Sequence, residues 1–233
     1  DNVGQTIPTM TWNTGSTLKI TGVTSGITYI PASCQNVIWD CPNQSSNASF
    51  LNNAITNVYG DLTIVNTGTG SVSNATTNSS KELVLWGGLN MQGGNYFVTQ
   101  GSNSVSQTLT VTNDVNISGG TFKISGSSST GTATLNLDRN LIISGGTLNL
   151  SSSNTASGTI NLKGNINHTA GTINETGSAA TKIKLYGTTA QTISTIGFES
   201  NSTLDIELNN SLGASLSSNL NTLGSFTFTS GKF

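Results

Sequence analysis

A glycine followed by a short apolar pair returns at a nearly constant step through the middle of this chain. Gly94, in Gly93-Gly94-Asn95-Tyr96, recurs as Gly120, Gly146 and Gly171, at steps of 26, 26 and 25 residues. A fixed period in this range marks a solenoid, in which each repeat is one coil stacked on the last. The apolar positions keep the same step. Leu83-x-Leu85 superimposes on Leu109-x-Val111, Leu135-x-Leu137, Ile160-x-Leu162 and Ile183-x-Leu185. Leu89-x-Met91 matches Val115-x-Ile117 and Leu141-x-Ile143, and Tyr96-x-Val98 matches Phe122-x-Ile124 and Leu148-x-Leu150.

Every such pair has a spacing of two, which is strand periodicity with one side chain in and the next out. No window carries the spacing of an amphipathic helix. Each repeat therefore reads as three short strands separated by turns such as Asn113-Asp114 and Ser118-Gly119-Gly120. The expectation is an all-β parallel β-helix with about 26 residues and three strands per coil, and room for about nine coils. An antiparallel sandwich also uses short strands between such turns, but it gives no reason for matched apolar pairs at a constant step.

The flanks are less regular. Residues 55–233 follow the repeat, with Leu62 one coil before Leu89. Residues 1–54 read as a cap or as irregular first coils, and they contain both cysteines. Cys34 and Cys41 are close enough in sequence to close a tight loop. A disulfide is expected there, which would imply an oxidising compartment. Two cysteines without a nearby histidine do not make a zinc site.

Composition narrows the function. Charged residues make up 8% of 233 residues, with a net charge of −2, against roughly 25% charged in an average soluble protein. Solubility must come from Ser, Thr and Asn at outward positions. Arg139 is the single arginine and no basic patch exists, so nucleic acid is not an expected partner. No apolar run approaches the ~20 residues of a membrane-spanning helix.

Candidate chemistry is sparse. His168 occupies the core-facing position of Met91, Ile117 and Ile143, and Glu175 that of Val98, Ile124 and Leu150. A pair between them across the turn would lower the burial cost of each. The shortened coil favours instead a local bend that turns both to solvent. Polysaccharide lyases and hydrolases built on β-helices need clustered acids and bases. Here a single outward column of Asp114, Asp138 and Lys163 is the most that the spacing offers. Calcium-binding Gly-Gly-x-Gly-x-Asp repeats are absent, and a Thr-x-Thr ice-binding ladder starting at Thr110 and Thr112 breaks at Asn136 and Asp138. No catalytic residue, metal or cofactor is expected. Trp12, Trp39 and Trp86 are candidates for stacking on sugar rings, although tryptophan in a strand more often packs against a loop.

Several segments carry a resemblance: Asp114–Phe122, Ser157–Ile166 and Asn210–Leu220. They resemble the large cell-surface repeat proteins of Bacteroidota, adhesins exported by the type IX secretion system, some of which serve gliding motility. The resemblance covers roughly residues 55–233 and contains no catalytic motif. It implies an extracellular, surface-displayed, non-enzymatic stalk or binding face. Its partners would be a surface glycan or polysaccharide, the rest of a longer parent chain, or the secretion machinery. The sorting domain that usually ends such proteins is not in this sequence, and Thr227-Phe228-Thr229-Ser230-Gly231 reads as the middle of a coil. The expectation is a piece of a longer polypeptide, or an end covered by a partner. The alternative function is a carbohydrate-active or carbohydrate-binding β-helix.

Overall fold

A computed structural model describes residues 11–25, 31–50, 55–75, 80–100, 104–126, 130–197, 204–217 and 224–233. The chain winds as an all-β solenoid of about 7 turns with about 25 residues per coil. No helix occurs among the described residues. Each full turn has three sides. The first side consists of β1 (Thr17–Ile20), β3 (Asn36–Asp40), β6 (Leu62–Asn66), β9 (Leu89–Met91), β12 (Val115–Ile117), the first halves of β15 (Leu141–Ser151) and β17 (Ile166–Asn174), β19 (Gln191–Ser194) and β21 (Ala214–Leu216). The second consists of β2 (Ser33–Cys34), β5 (Asn57–Val58), β8 (Lys81–Leu85), β11 (Gln107–Val111), β14 (Ala133–Leu137), β16 (Gly158–Leu162), β18 (Thr181–Leu185), β20 (Asp205–Asn209) and β22 (Phe226–Ser230). The third is shorter: β4 (Asn47–Ser49), β7 (Ser71–Ala75), β10 (Asn95–Thr99), β13 (Thr121–Ser125) and the second halves of β15 and β17. The two long sides run on past the turns that carry all three.

All pairings are parallel and in the register that the repeat demands. Leu109 lies over Leu83, Leu135 over Leu109 and Ile160 over Leu135. Each inward column is thus a stack of like side chains, and these residues are fully buried. Burial of this kind contributes about 1.5–3 kcal/mol per large aliphatic side chain. On the third side the stack is aromatic. Trp39, reaching across from β3 on the first side, meets Phe50 edge-on at 5.7 Å, Phe50 meets Tyr96 at 6.2 Å, and Tyr96 stacks on Phe122 at 5.6 Å with their planes 10° apart. The Tyr96 hydroxyl donates to Asn74 Oδ1 inside this stack, so a buried phenol is satisfied.

The recurring glycine marks the corner between the first and third sides. Gly94, Gly120, Gly146 and Gly171 all have φ between 62° and 85°, the left-handed region that side chains disfavour. Space forbids a side chain as well: a Cβ on Gly120 would lie 2.4 Å from the Gly94 carbonyl oxygen of the coil beneath. The next corner residue is stitched by side chains. Asn36 Oδ1 accepts from Asp61 N, Asp61 Oδ1 from Gly88 N, Asp114 Oδ1 from Asn140 N, Asn140 Oδ1 from Asn165 N, and Asn165 Oδ1 from Thr192 N, at 2.7–2.9 Å. Residues before position 55 join the same ladder, since β3 pairs with both β1 and β6.

The expected disulfide is not formed: Cys34 and Cys41 are both free and buried. Cys34 ends β2 on the second side, whereas Cys41 follows β3 on the first. The extended β3 lies between them, with 5 residues. At about 3.3 Å per residue it holds the two cysteines beyond the roughly 7 Å Cα separation a disulfide can bridge. Burial pushes the Cys34 thiol up to about 11. The Cys41 thiol is also raised, chiefly by burial, and it donates to the Ile20 carbonyl at 3.4 Å.

Candidate binding surface

Core-facing polar residues stay in the core. His168 and Glu175 are 2% and 5% exposed, so the bend expected to turn them to solvent does not occur. Both ring nitrogens of His168 have partners other than the carboxylate. Nδ1 lies 2.9 Å from Thr195 Oγ1, and Nε2 lies 3.2 Å from the Gly171 carbonyl. Ile143 pairs with His168, and the next coil places Thr195, itself buried, above it. The apolar column Ile64, Met91, Ile117, Ile143 therefore ends in a hydrogen-bonded His–Thr pair, which meets the cost of burying each polar group. The partner was not readable in the sequence, because the step that is 25 or 26 in the regular coils becomes 27 from Ile166 to Ile193 and 23 from Ile193 to Leu216.

Both acids of the expected column bond to residues of the adjacent coil. Asp138 Oδ1 lies 2.6 Å from Lys163 Nζ in adjacent rungs, as the step of 25 predicts. Asp114 is not in that column. The register sets Val115 opposite Leu141, which places Asp114 against Asn140, and its carboxylate accepts from the Asn140 backbone and side chain at 2.9 and 3.1 Å. The step of 24 from Asp114 to Asp138 is two short of a coil, enough to move Asp114 to the next corner. The hydrogen bond to Asp138 raises the Lys163 ammonium above its usual range, which makes it a poor proton acceptor. No group of three His, Cys, Asp or Glu among the described residues is placed to hold a metal.

The three tryptophans fare differently. Trp39 is fully buried, and its indole N–H donates to Gln44 Oε1 at 2.8 Å. It cannot stack on an external ring, because Val37-x-Trp39 is the inward pair that matches Leu62-x-Ile64. Trp12 packs part-buried against the core. Trp86 alone stands out, 55% exposed, with its indole N–H on Asn57 Oδ1 at 3.3 Å.

Trp86 belongs to a column that spacing alone did not single out. Val58 pairs with Leu85, so Tyr59, 51% exposed, precedes Trp86 by one rung. Main-chain bonds continue the column: Trp86 N to Val58 O, Thr112 N to Leu85 O, Asp138 N to Val111 O, Lys163 N to Leu137 O and Tyr186 N to Leu162 O, all at 2.8–3.0 Å. Lys163 Nζ sits 5.7 Å from the Tyr186 ring centre. Beside this column, on the second side, runs an amide and hydroxyl ladder. Asn161 Nδ2 donates to Asn136 Oδ1 at 2.9 Å, Asn136 Nδ2 to Thr110 Oγ1 at 3.4 Å, and Thr110 Oγ1 to Glu82 Oε1 at 2.7 Å. Tyr59 and Tyr186 could have been found by noting that each follows an inward aliphatic residue, as Trp86 does.

No helix among the described residues is long and apolar enough to cross a membrane. Neither a family model, nor a curated protein, nor a solved structure matches this chain.

Proposed function

We propose that this chain is an extracellular, adhesin-like β-solenoid rod, displayed on a cell surface, that presents one side to a glycan-bearing surface and has no catalytic role. The observation that carries the reading is the outer skin. A parallel ladder holds rows of Thr, Asn and Ser at fixed spacing, charges are few, and Tyr59 and Trp86 stand exposed in adjacent rungs. A rod with its backbone bonded coil to coil resists bending and holds outward groups in place before contact, which lowers the ordering cost of binding. The repeat-level resemblance to Bacteroidota surface proteins, exported by the type IX system and in some cases used for gliding, supports the surface placement. The two free thiols lend no support to an oxidising compartment, so export rests on composition and on that resemblance. In this reading the rod belongs to a longer parent chain handled by a secretion apparatus.

The test is a glycan array run beside a polysaccharide-cleavage screen on the 233-residue chain. Binding without cleavage is the expected result. Release of reducing ends would overturn the reading in favour of a carbohydrate-active β-helix and direct attention to Asp138 and Lys163.

A further inference from the structure

The exposed column from Tyr59 to Tyr186 has a geometry that names its ligand class. We infer that it binds a linear, uncharged polysaccharide lying along the rod axis, with Tyr59 and Trp86 as the stacking platforms. The inference deepens the adhesive reading above and rests on it. Successive rungs are about 4.8 Å apart, so the column of Tyr59, Trp86, Thr112, Asp138, Lys163 and Tyr186 is about 24 Å long and one residue wide. A repeating polymer fits a surface that itself repeats by translation. A folded protein does not, since a stable protein interface buries roughly 800 Å² on each partner and a single column offers far less.

The aromatic faces suit pyranose rings, whose C–H faces are apolar while their hydroxyls need partners at the rim. Trp86 is held by its bond to Asn57 at 3.3 Å, so its ring is oriented before a ligand arrives. The rim partners are the adjacent Thr110, Asn136 and Asn161, whose hydrogen bonds run in one direction along the ladder. Charge decides between neutral and acidic polymers. The one cation in the column, Lys163, is neutralised by Asp138 at 2.6 Å, and Lys182 and Lys184, where the adjacent ladder continues past Asn161, are both engaged by Glu207 at 3.0 and 3.3 Å, so each of these cations already has a carboxylate partner when a uronate or sulfate approaches. Of the other exposed apolar groups, Ile196, Leu212 and Leu216 are aliphatic and give no flat ring for a sugar, while Phe228 and Phe233 pack on each other and on Phe226 with ring centres 4.8–5.6 Å apart, off the column.

The experiment is affinity electrophoresis of the full chain through gels containing soluble β-glucan, xylan, galactomannan or polygalacturonate. Wild type is compared with Trp86→Ala, Tyr59→Ala and, as a control elsewhere on the surface, Leu212→Ala. Far-UV circular dichroism checks that each variant is folded, and the exposure of all three side chains makes folding the expected result. Retardation by at least one neutral polymer, weakened about tenfold or more by Trp86→Ala and unchanged by Leu212→Ala, supports the inference. Retardation that survives both aromatic substitutions, or that occurs only with polygalacturonate, overturns the column while leaving the adhesive reading in place. No retardation of wild type by any of the polymers overturns the inference, and binding on the glycan array then decides separately whether the adhesive reading stands.

Discussion

Replacing Gly120 by alanine tests why the glycine repeats at all. Two effects oppose the substitution. The torsion costs an L-residue about 1 kcal/mol at a left-handed angle, and Gly120 sits at φ 68°. The added Cβ also meets the backbone of the coil below, 2.4 Å from Gly94 O and 2.5 Å from Gly93 C. Relief requires the two coils to part by about 1 Å. That strains the bonds from Thr121 N to Gly94 O at 2.8 Å and from Ser118 N to Met91 O at 2.9 Å, worth about 1 kcal/mol each. The sum is about 3 kcal/mol. Gly15 is the control, since its φ is 83° but a Cβ there meets nothing within 4 Å; Gly15→Ala should cost about 1 kcal/mol. Asparagine tolerates the left-handed torsion better than alanine but carries the same Cβ, so Gly120→Asn should remain nearly as damaging as Gly120→Ala. Urea unfolding followed by circular dichroism, with amide exchange at Ser118 and Thr121, reads both effects. If Gly120→Asn is as stable as wild type, torsion alone explains the glycine and the close-approach argument is refuted.

Four further outcomes follow from named contacts. In the native protein a thiol reagent at neutral pH should modify neither cysteine, because Cys34 is buried with its thiol pushed up to about 11; after denaturation without reductant both should react, and a single missing equivalent of reagent would contradict free thiols. Tyr96→Phe leaves Asn74 Oδ1 buried without its donor and should cost about 1–3 kcal/mol in urea unfolding, while Phe122→Ala, opening a cavity in the same stack, should cost about 3–5 kcal/mol. Hydrogen bonds from Lys182 chiefly, and from Lys184, hold the Glu207 carboxyl below its usual range. Its contribution to stability is therefore present above the ordinary glutamate range and lost as pH falls through the lowered value, so the acid-side slope of the melting temperature should shrink in Glu207→Gln. His168→Ala removes a partner from buried Thr195 and leaves a void in the first-side column; a loss of about 2–4 kcal/mol is expected, and an unchanged urea midpoint would show that the His–Thr pair is not holding the coil.

Much of the fold was legible because a solenoid repeats its physics. The residue pairs that line the core, such as Leu83-x-Leu85 and Phe122-x-Ile124, recur at one step, so a single alignment of the chain with itself locates three sides and their inward faces. The same alignment failed where a residue type suggested one chemistry and position imposed another. Cys34 and Cys41 looked like a pair by sequence distance, but an intervening extended strand separates them. Trp39 looked like a ligand platform by type, yet it occupies an inward slot and closes the end of the aromatic stack. His168 and Glu175 looked too polar for the core, and the core accepted the histidine because Thr195 was waiting one coil above. Asp114 was assigned to the Asp138 column from a step of 24, when the register required 26.

The surface column was missed for a reason that bears on solenoids in general. Inward residues repeat because each must fit the coil above and below, so selection for the fold writes them into the period. Outward residues are free of that demand. Tyr59, Trp86, Thr112, Asp138, Lys163 and Tyr186 share one column while no residue type but tyrosine occurs in it twice, and periodicity analysis passes over them. Register recovers them, because a main-chain bond joins each to the coil before it. Inward and outward residues are thus separated by parity along the strand. The inward columns specify the rod, and the outward ones, read along the axis and not along the chain, are where the proposed polysaccharide contact has to be sought.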